Sequence, residues 1–308
     1  MHPPDSQSDQ VRISQGRTVR LGCVSYLNAR PLIEGLEDAV DPADGASIQV
    51  KYNVPSRLLA DLEAGLLDIA LCPVIDFYSA RVPLEIVPVG GIGCHGSTLT
   101  VRLCSRVPIK RISTVYADTD SHTSVILLQV VLAERFGLRP RMIAYDAREH
   151  TAGHRLAKDP ESLLLIGDKV VNAPVDDTTY VHQIDLGQAW HDLTGLPFVF
   201  ALWMARRGAL LGQVPAILDQ LRIRNSHRID WIIQRHAQTH GWPTDLARHY
   251  LAQLLDFQLG SLQLEAINTF AKKAHRLGLI EHDQPLVVRE TPDRSGGGSP
   301  RVDALDRR

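Results

Sequence analysis

Residues 25–32 read SYLNARPL, and they follow the apolar run VRLGCV at residues 19–24. The apolar run predicts a buried strand, so Ser25, Tyr26 and Asn28 arrive at its carboxyl end, where a helix can begin. In open α/β sheets, ligands bind beyond the carboxyl ends of the strands. The first turn of a helix also offers unpaired N–H groups to a carboxylate or phosphate. This stretch therefore predicts a binding site for a small anion, with an ordinary helix cap as the alternative.

Away from this stretch, short apolar runs alternate with segments of helical periodicity, which is typical of parallel α/β sheets. The predicted strands cover residues 18–25, 47–53, 68–74, 84–94, 97–105, 110–118, 141–146, 162–168 and 196–206. The predicted helices cover residues 55–68, 121–137, 189–195, 216–240, 243–255 and 264–279. Ser121 or Thr123 can cap the strongest of these helices, and Gly137 can end it.

The composition is that of a globular protein without a strongly charged partner. The 308 residues carry a formal net charge of -2, with 44% hydrophobic and 22% charged residues. This balance gives no indication of nucleic acid or an anionic membrane as partner. The first residues are polar and lack the apolar segment of a signal peptide. We therefore expect a cytoplasmic protein, with residues 1–17 and 291–308 as flexible termini outside the fold.

The cysteines and histidines do not form a metal signature. The four cysteines, at positions 23, 72, 94 and 104, include no CxxC pair. Buried, reduced thiols are favoured over a zinc site or disulfides. The histidines include no HExxH pair, and no GK[ST] motif follows the glycine-rich turn. We therefore expect neither a metal nor a cofactor.

Three further polar stretches lie at predicted strand or helix ends. GIGCHGST at residues 91–98 allows close backbone approach, TDSHTS at 119–124 precedes the strongest helix, and IGDKV at 166–170 follows an apolar strand. Each can equally be a turn or a cap. The candidate substrate contacts that they contribute are Ser97, Thr98, Ser121, Thr123, Ser124 and Asp168. Such mainly neutral groups favour binding of an anionic small molecule and do not by themselves indicate catalysis.

A family resemblance runs through these stretches. The chain is similar to the menaquinone-biosynthesis dehydratases of the futalosine route, which act as chorismate dehydratases, in the segments SYLNARPL, PSRLLADLEAGLLDIALCPV, TDSHTSV, LLLIGDKVV and DLGQAWHDLTGLPFVFALW. The resemblance covers about residues 18–285 in order. After the glycine-rich turn this chain is more polar than the family pattern, with Thr98, Thr100 and Arg102.

The resemblance implies the two-lobed α/β fold of type 2 periplasmic binding proteins, with a ligand cleft between the lobes. Carried onto this chain, lobe one holds residues 18–105 and 203–290, and lobe two holds residues 106–202. The segment LPFVFALW at residues 196–203 would then cross between the lobes. A homodimer is a further expectation.

The reaction that the resemblance implies removes water across C3 and C4 of chorismate and gives 3-[(1-carboxyvinyl)oxy]benzoate. Loss of the C3 proton places negative charge on the ring carboxylate, so hydrogen-bond donors there would stabilise the transition state. Asn28 and Ser25 are the expected catalytic residues. Tyr26 and the polar residues named above are the expected substrate contacts.

The base that removes the C3 proton is open at this stage. Asp168 and His122 are candidates, and the enolpyruvyl carboxylate of the substrate, attached at C3 itself, is a third. The competing function is that of a cytoplasmic, non-catalytic binding protein for a small carboxylate, because the same fold serves both purposes.

Overall fold

The computed structural model describes residues 18–36, 47–146 and 160–290, which form two β-sheets with helices packed around them. The described strands are β1 (Thr18–Cys23), β2 (Ser47–Tyr52), β3 (Ile69–Pro73), β4 (Leu84–Cys94), β5 (Val101–Ser105), β6 (Thr114–Asp118), β7 (Arg141–Tyr145), β8 (Ser162–Ile166), β9 (His182–Asp185), β10 (Phe198–Arg206) and β11 (Leu255–Asp256). Every predicted strand overlaps one of the described strands, whereas β9 and the two-residue β11 have no predicted counterpart. The predicted flexible termini lie outside the described residues.

The two sheets contain both parallel and antiparallel pairs. The first sheet has the order β11-β4-β10-β3-β1-β2, and the second has the order β7-β6-β8-β5-β9. Strand β1 is parallel to β2 and β3, and β6 is parallel to β7 and β8. The expectation of parallel sheets is wrong for β10, which is antiparallel to β3 and β4, and for β5, which is antiparallel to β8 and β9. Each of these strands enters its sheet from the other sheet, so no βαβ crossover fixes its direction.

The chain passes between the sheets twice within the described residues. It leaves the first sheet after β4 and returns to it with β10. The predicted lobe limits of 18–105 plus 203–290 and of 106–202 stay a prediction. By sheet membership alone, β5 lies with the second sheet and β10 with the first.

The described α-helices are α1 (Arg30–Ile33), α2 (Pro55–Glu63), α3 (His122–Phe136), α4 (Lys169–Asn172), α5 (Leu186–Thr194), α6 (Val214–Ser226), α7 (Ile229–His236), α8 (Thr244–His249) and α9 (Ser261–Arg276). Helix α3 has the predicted ends, because Ser121 Oγ accepts from the Ser124 N–H at 3.4 Å and Gly137 adopts a φ of 69°. None of the helices in the described ranges is long and apolar enough to cross a membrane.

Two features of the C-terminal helices differ from the sequence pattern. The single helix predicted over residues 216–240 is divided into α6 and α7. The segment predicted as a helix over 243–255 ends in a π-helical turn, Tyr250–Leu254, which follows α8. Apolar periodicity does not distinguish a π turn from the α-helix it interrupts, and such turns occur frequently at functional sites.

The core is apolar and contains an aromatic cluster and the four thiols. Trp190, Phe198 and Phe270 pack edge to face, with ring centroids 5.0–5.8 Å apart. They belong to α5, β10 and α9, so the cluster ties these elements together. All four cysteines are free and buried, as predicted. Burial raises the pKa of Cys23 to about 12, which keeps this thiol protonated at neutral pH.

Helix α6 is fixed to the SYLNARPL segment by a buried amide. Asn225 is 1% exposed, and its Nδ2 donates to Pro31 O at 3.2 Å and to Glu34 O at 3.0 Å. Arg224 Nη2 also donates to Glu34 O, at 2.7 Å. These bonds satisfy carbonyl groups at the end of the short helix α1, which have no partner inside the helix.

The start of α3 is joined to the first sheet by two side-chain contacts. His122 Nδ1 lies 2.7 Å from Asp76 Oδ1, and Thr123 Oγ1 accepts from the Ile75 N–H at 3.2 Å. Burial raises the pKa of Asp76, and the hydrogen bond from His122 opposes that shift. The same bond raises the pKa of His122.

Asn225→Leu should destabilise the protein by about 1–3 kcal/mol, because it leaves Pro31 O without its donor and Glu34 O with Arg224 as its remaining donor. Urea unfolding followed by circular dichroism measures this change. Ser226→Ala is the control, since its exposed hydroxyl contacts only Ile223 O in the same helix, and it should change stability by less than about 0.5 kcal/mol. Equal stability of the two variants would contradict the role given to Asn225.

The contact between His122 and Asp76 predicts a pH-dependent part of the stability. Because the pKa of His122 is raised by folding, its contribution is fully present below the unfolded value of about 6.5 and is lost as the pH rises through the folded value. The free energy of unfolding should therefore fall from about pH 6 upward.

Replacing both groups, as Asp76→Asn with His122→Gln, should flatten that fall in urea titrations across the same pH range. His249→Gln, which removes an exposed histidine whose Nδ1 is bonded to Gln253 Oε1, should keep this pH dependence. The same slope in the double variant as in the unmodified protein would rule out the contact as its source.

Candidate active site

A cleft of about 550 Å³, partly open to solvent, lies between the two sheets. Its walls are largely apolar, and its polar lining consists of Tyr26, Asn28, Thr98, Thr100, Ser121, Ser124 and Tyr250. Among the described residues, no Asp, Glu, Lys, Arg or His side chain lines the cleft. The cleft therefore offers a ligand neutral hydroxyls, one amide and an apolar surface.

Asn28 is held at the cleft wall by a chain of hydrogen bonds. Its Nδ2 donates to Tyr250 Oη at 3.3 Å, and Tyr250 Oη lies 2.8 Å from Thr100 Oγ1. Burial raises the pKa of Tyr250, so this side chain remains a neutral hydroxyl. Asn28 Oδ1 is buried and has no hydrogen-bond partner within the described ranges. An unpartnered buried amide oxygen is uncommon in folded proteins, and this one belongs to a residue that lines the cleft.

Charged side chains beside the cleft are paired with one another. Lys169 Nζ lies 2.6 Å from Asp118 Oδ2 and also contacts Asp120 Oδ2. Tyr26 Oη donates to Asp120 Oδ2 at 2.6 Å. Burial raises the pKa of Asp118 while Lys169 opposes the shift, and burial followed by the bond to Asp120 raises the pKa of Tyr26. Tyr26, which follows β1 of the first sheet, is thereby bonded to Asp120, which follows β6 of the second sheet and also contacts Lys169, after β8.

Two serine hydroxyls stand at the N-terminus of the 15-residue helix α3. Ser124 Oγ donates to Ser121 Oγ at 3.2 Å, and Ser121 caps the helix. Thr123 lies between them in sequence but is bonded to the Ile75 N–H instead. The partial positive charge of a helix N-terminus favours an anionic group at this end of the cleft.

One carboxylate organises the turn before β5. Asp185 is the N-cap of α5, and it accepts from the N–H groups of Thr98 and Leu99 at 3.0 and 2.7 Å. It also accepts from Ser97 Oγ at 2.9 Å. Because Asp185 occupies these donors, Thr98 and Leu99 do not offer their N–H groups to a ligand in this arrangement.

The same turn is strained and closely packed. Leu99 has a φ of 64°, and the Thr100 N–H donates to Thr98 O at 2.7 Å, which is the pattern of the γ-turn with positive φ. This γ-turn is rare and strained, and strain of this kind concentrates at functional sites. Helix α5 approaches so closely that a Cβ at Gly187 would lie 2.5 Å from Gly96 O. The Asp and Gly of the DLG motif thus shape the turn that presents Thr100.

The predicted site residues divide into two groups. Tyr26, Asn28, Thr98, Ser121 and Ser124 line the cleft together. Ser97 and Thr123 are bonded to Asp185 and to the Ile75 N–H, respectively, and do not line it.

Ser25 and Asp168 also lie outside the lining. Ser25 is exposed, and its carbonyl oxygen accepts from His240 Nε2 at 3.0 Å. Asp168 Oδ2 accepts from the Leu27 N–H at 3.3 Å, and burial raises its pKa. The parts assigned to these side chains in a reaction stay predictions. In the described part of the chain, no group of three His, Cys, Asp or Glu residues is placed to hold a metal ion.

The sequence patterns do not identify Thr100, Tyr250 or Asp185 as site residues. Asp185 carries a detectable signal, since an Asp directly before a helical segment is a common N-cap. Tyr250 carries none, because its position depends on the π-helical turn and on tertiary packing.

Solved structures with a similar fold include binding proteins. The alkanesulfonate-binding protein SsuA from Xanthomonas axonopodis pv. citri bound to MOPS superimposes with a TM-score of 0.66 at 16% identity, over 89% of this chain and 97% of that one. A Candida albicans protein described as having the generic periplasmic binding protein fold gives a TM-score of 0.62 at 10% identity, over 90% and 99% of the two chains. The predicted two-lobed fold of periplasmic binding proteins is confirmed.

Two curated relatives share sequence with most of the chain. A chorismate dehydratase from Thermus thermophilus is 28% identical over 246 residues, covering 75% of this chain and 86% of the relative. A chorismate dehydratase from Campylobacter jejuni is 25% identical over 260 residues, covering 84% and 98%. The model of the family described as menaquinone biosynthesis matches residues 19–276. Since this match spans most of the sequence, the chain belongs to the menaquinone biosynthesis family.

Proposed function

We propose that this protein is a chorismate dehydratase, a hydro-lyase that converts chorismate to 3-[(1-carboxyvinyl)oxy]benzoate and water. The observation that carries the proposal is the cleft itself, whose polar lining is neutral and comes from both lobes. Two relatives that share most of the chain are named for this activity. The cleft offers donors for the carboxylates of chorismate and apolar walls for its ring. The product would enter menaquinone biosynthesis by the futalosine route.

The ring carboxylate binds at the N-terminus of α3. Ser121 and Ser124 line the cleft there, and the helix N-terminus stabilises an anion. Loss of the C3 proton delocalises negative charge onto this carboxylate, so the same donors become stronger in the transition state. The ring rests against the apolar side chains, among them Ile92, Ile166 and Phe200.

Asn28 acts at the C3–C4 end of the substrate. Its amide oxygen and its remaining N–H can pair with the C4 hydroxyl, which both donates and accepts hydrogen bonds. Tyr26 and Thr98 line the same cleft and complete the polar contacts. Elimination breaks the C3–H and C4–O bonds and forms the aromatic ring. The proton that the base takes from C3 passes to the departing C4 hydroxide, which leaves as water.

The base is the enolpyruvyl carboxylate of the substrate. The lining includes no charged side chain among the described residues, and two protein candidates are engaged elsewhere. Asp168 is bonded to the Leu27 N–H, and His122 to Asp76. A carboxylate attached at C3 itself is held close to the C3 proton, and such proximity offsets a weak base. Closure of the lobes around the substrate would exclude water.

The protein acts in the cytoplasm on a small molecule, without nucleic acid or membrane as partner, and without a metal or cofactor. It forms a homodimer, which light scattering tests. The alternative, a non-catalytic binding protein for a small carboxylate, predicts that chorismate binds and is recovered unchanged. Incubation with chorismate and chromatography of the aromatic product separates the two functions.

Asn28→Asp should lower kcat/KM for chorismate by about 30- to 1,000-fold, or about 2–4 kcal/mol, because it replaces a neutral amide by a negative charge beside an anionic substrate. Steady-state assays with chorismate measure the loss. Asn172→Asp makes the same chemical change outside the cleft, where Asn172 Nδ2 donates to His240 O, and should stay within about threefold of the unmodified protein. Near-normal kinetics of Asn28→Asp would show that Asn28 is only structural.

A chorismate analogue with an amide in place of the enolpyruvyl carboxylate should bind but react at least about a hundredfold more slowly, because the amide is a much weaker base. Calorimetry gives the binding and single-turnover assays give the rate. Reaction at the normal rate would exclude the substrate as its own base. Loss of turnover in Asp168→Asn or His122→Ala, with chorismate binding preserved, would assign the base to the protein.

A further inference from the structure

The Tyr250 hydroxyl is buried between two polar side chains of the cleft. Tyr250 is 1% exposed, and its Oη lies 3.3 Å from Asn28 Nδ2 and 2.8 Å from Thr100 Oγ1. All three residues line the cleft. In the proposed reaction Asn28 contacts the substrate, whereas Tyr250 and Thr100 have no assigned role.

The direction of these hydrogen bonds follows from what each atom can do. An amide nitrogen only donates, so Tyr250 Oη accepts from Asn28 Nδ2. The hydroxyl hydrogen of Tyr250 then goes to Thr100 Oγ1, because the opposite direction would leave it buried without an acceptor. Thr100 Oγ1 in turn lies 3.4 Å from Thr98 O, which can only accept. The chain of donors therefore runs from Asn28 through Tyr250 to Thr100.

The surrounding structure restricts the movement of Tyr250 and Thr100. The ring of Trp242 stacks on Tyr250 with centroids 4.8 Å apart and planes at 12°. The π-helical turn begins at Tyr250 itself. Thr100 follows the strained turn at Leu99, whose N–H is bonded to Asp185. Neither side chain can move to follow a displaced amide, so the geometry of Asn28 is set by its surroundings.

We propose that Tyr250, supported by Thr100, is a positioning residue that fixes the orientation of the Asn28 amide toward the leaving hydroxyl of the substrate. The proposal rests on the dehydratase function proposed above. The bond to Tyr250 uses one N–H of Asn28 and leaves the second N–H and the unpartnered Oδ1 for the ligand. Without the Tyr250 hydroxyl the amide can rotate, and a fraction of bound substrate meets it in the wrong orientation.

The test is a double-mutant cycle on chorismate turnover with Tyr250→Phe, Asn28→Ala and the double variant. Tyr250→Phe should lower kcat about tenfold and leave KM within about twofold, because binding groups elsewhere are unchanged. In the Asn28→Ala background the same change should cost less than about twofold, since Tyr250 acts through Asn28. Thr100→Val should lower kcat by about as much as Tyr250→Phe does. Thr100→Ser keeps the hydroxyl and should retain most of the kcat of the unmodified protein.

Tyr78→Phe is the matched control. Tyr78 is also buried, but its hydroxyl has no hydrogen-bond partner in the described part of the chain and does not line the cleft. Its kcat and KM should equal those of the unmodified protein. Additive losses in the cycle, or unchanged kcat in Tyr250→Phe, would overturn the positioning role alone. Failure of the unmodified protein to convert chorismate would overturn the proposed function and this inference with it.

Discussion

Three consecutive residues at the end of β1 each bind a different part of the chain, and the geometry of the cleft depends on that divergence. Tyr26 Oη donates to Asp120, the Leu27 N–H donates to Asp168, and Asn28 Nδ2 donates to Tyr250. A short 3-10 turn over Leu27–Ala29 follows Tyr26, and it leaves the Leu27 N–H free to bond outside the turn. The segment thus connects the second lobe and the C-terminal helices to the first sheet.

Carboxylates surround the cleft, yet the lining remains neutral. Asp118 and Asp120 contact Lys169, while Asp168 and Asp185 accept from backbone N–H groups. An unpaired carboxylate about 4 Å from a bound anion would cost about 1 kcal/mol in water and several times more in a partly buried site. The ion pairs with Lys169 and the hydrogen bonds from N–H groups reduce this repulsion, so the hydroxyls and the N-terminus of α3 contribute more to the field that an anionic ligand meets.

Local signals predict the elements of this fold better than they predict its site. The ends of α3 follow from Ser121 and Gly137 because capping is a property of a few neighbouring residues. Tyr26 and Asn28 are recognisable because polar side chains at a buried strand end need a partner. Tyr250 is distant in sequence and reaches Asn28 through a π-helical turn, which has no periodic signature. The antiparallel direction of β5 and β10 is equally inaccessible, since it depends on where the chain changes lobes.

The step from a binding fold to a catalyst requires interactions that strengthen as the reaction proceeds. A site that bound both carboxylates as strongly in the ground state as in the transition state would give only a tight complex. In the proposed reaction the charge grows on the ring carboxylate and falls on the enolpyruvyl carboxylate as it accepts the C3 proton. Strong donors at the ring carboxylate therefore accelerate the reaction, whereas strong donors at the enolpyruvyl carboxylate would lower its basicity and slow it. In the proposed reaction this asymmetry favours a substrate orientation with the ring carboxylate at the N-terminus of α3 and the enolpyruvyl carboxylate in the weakly donating, apolar part of the cleft.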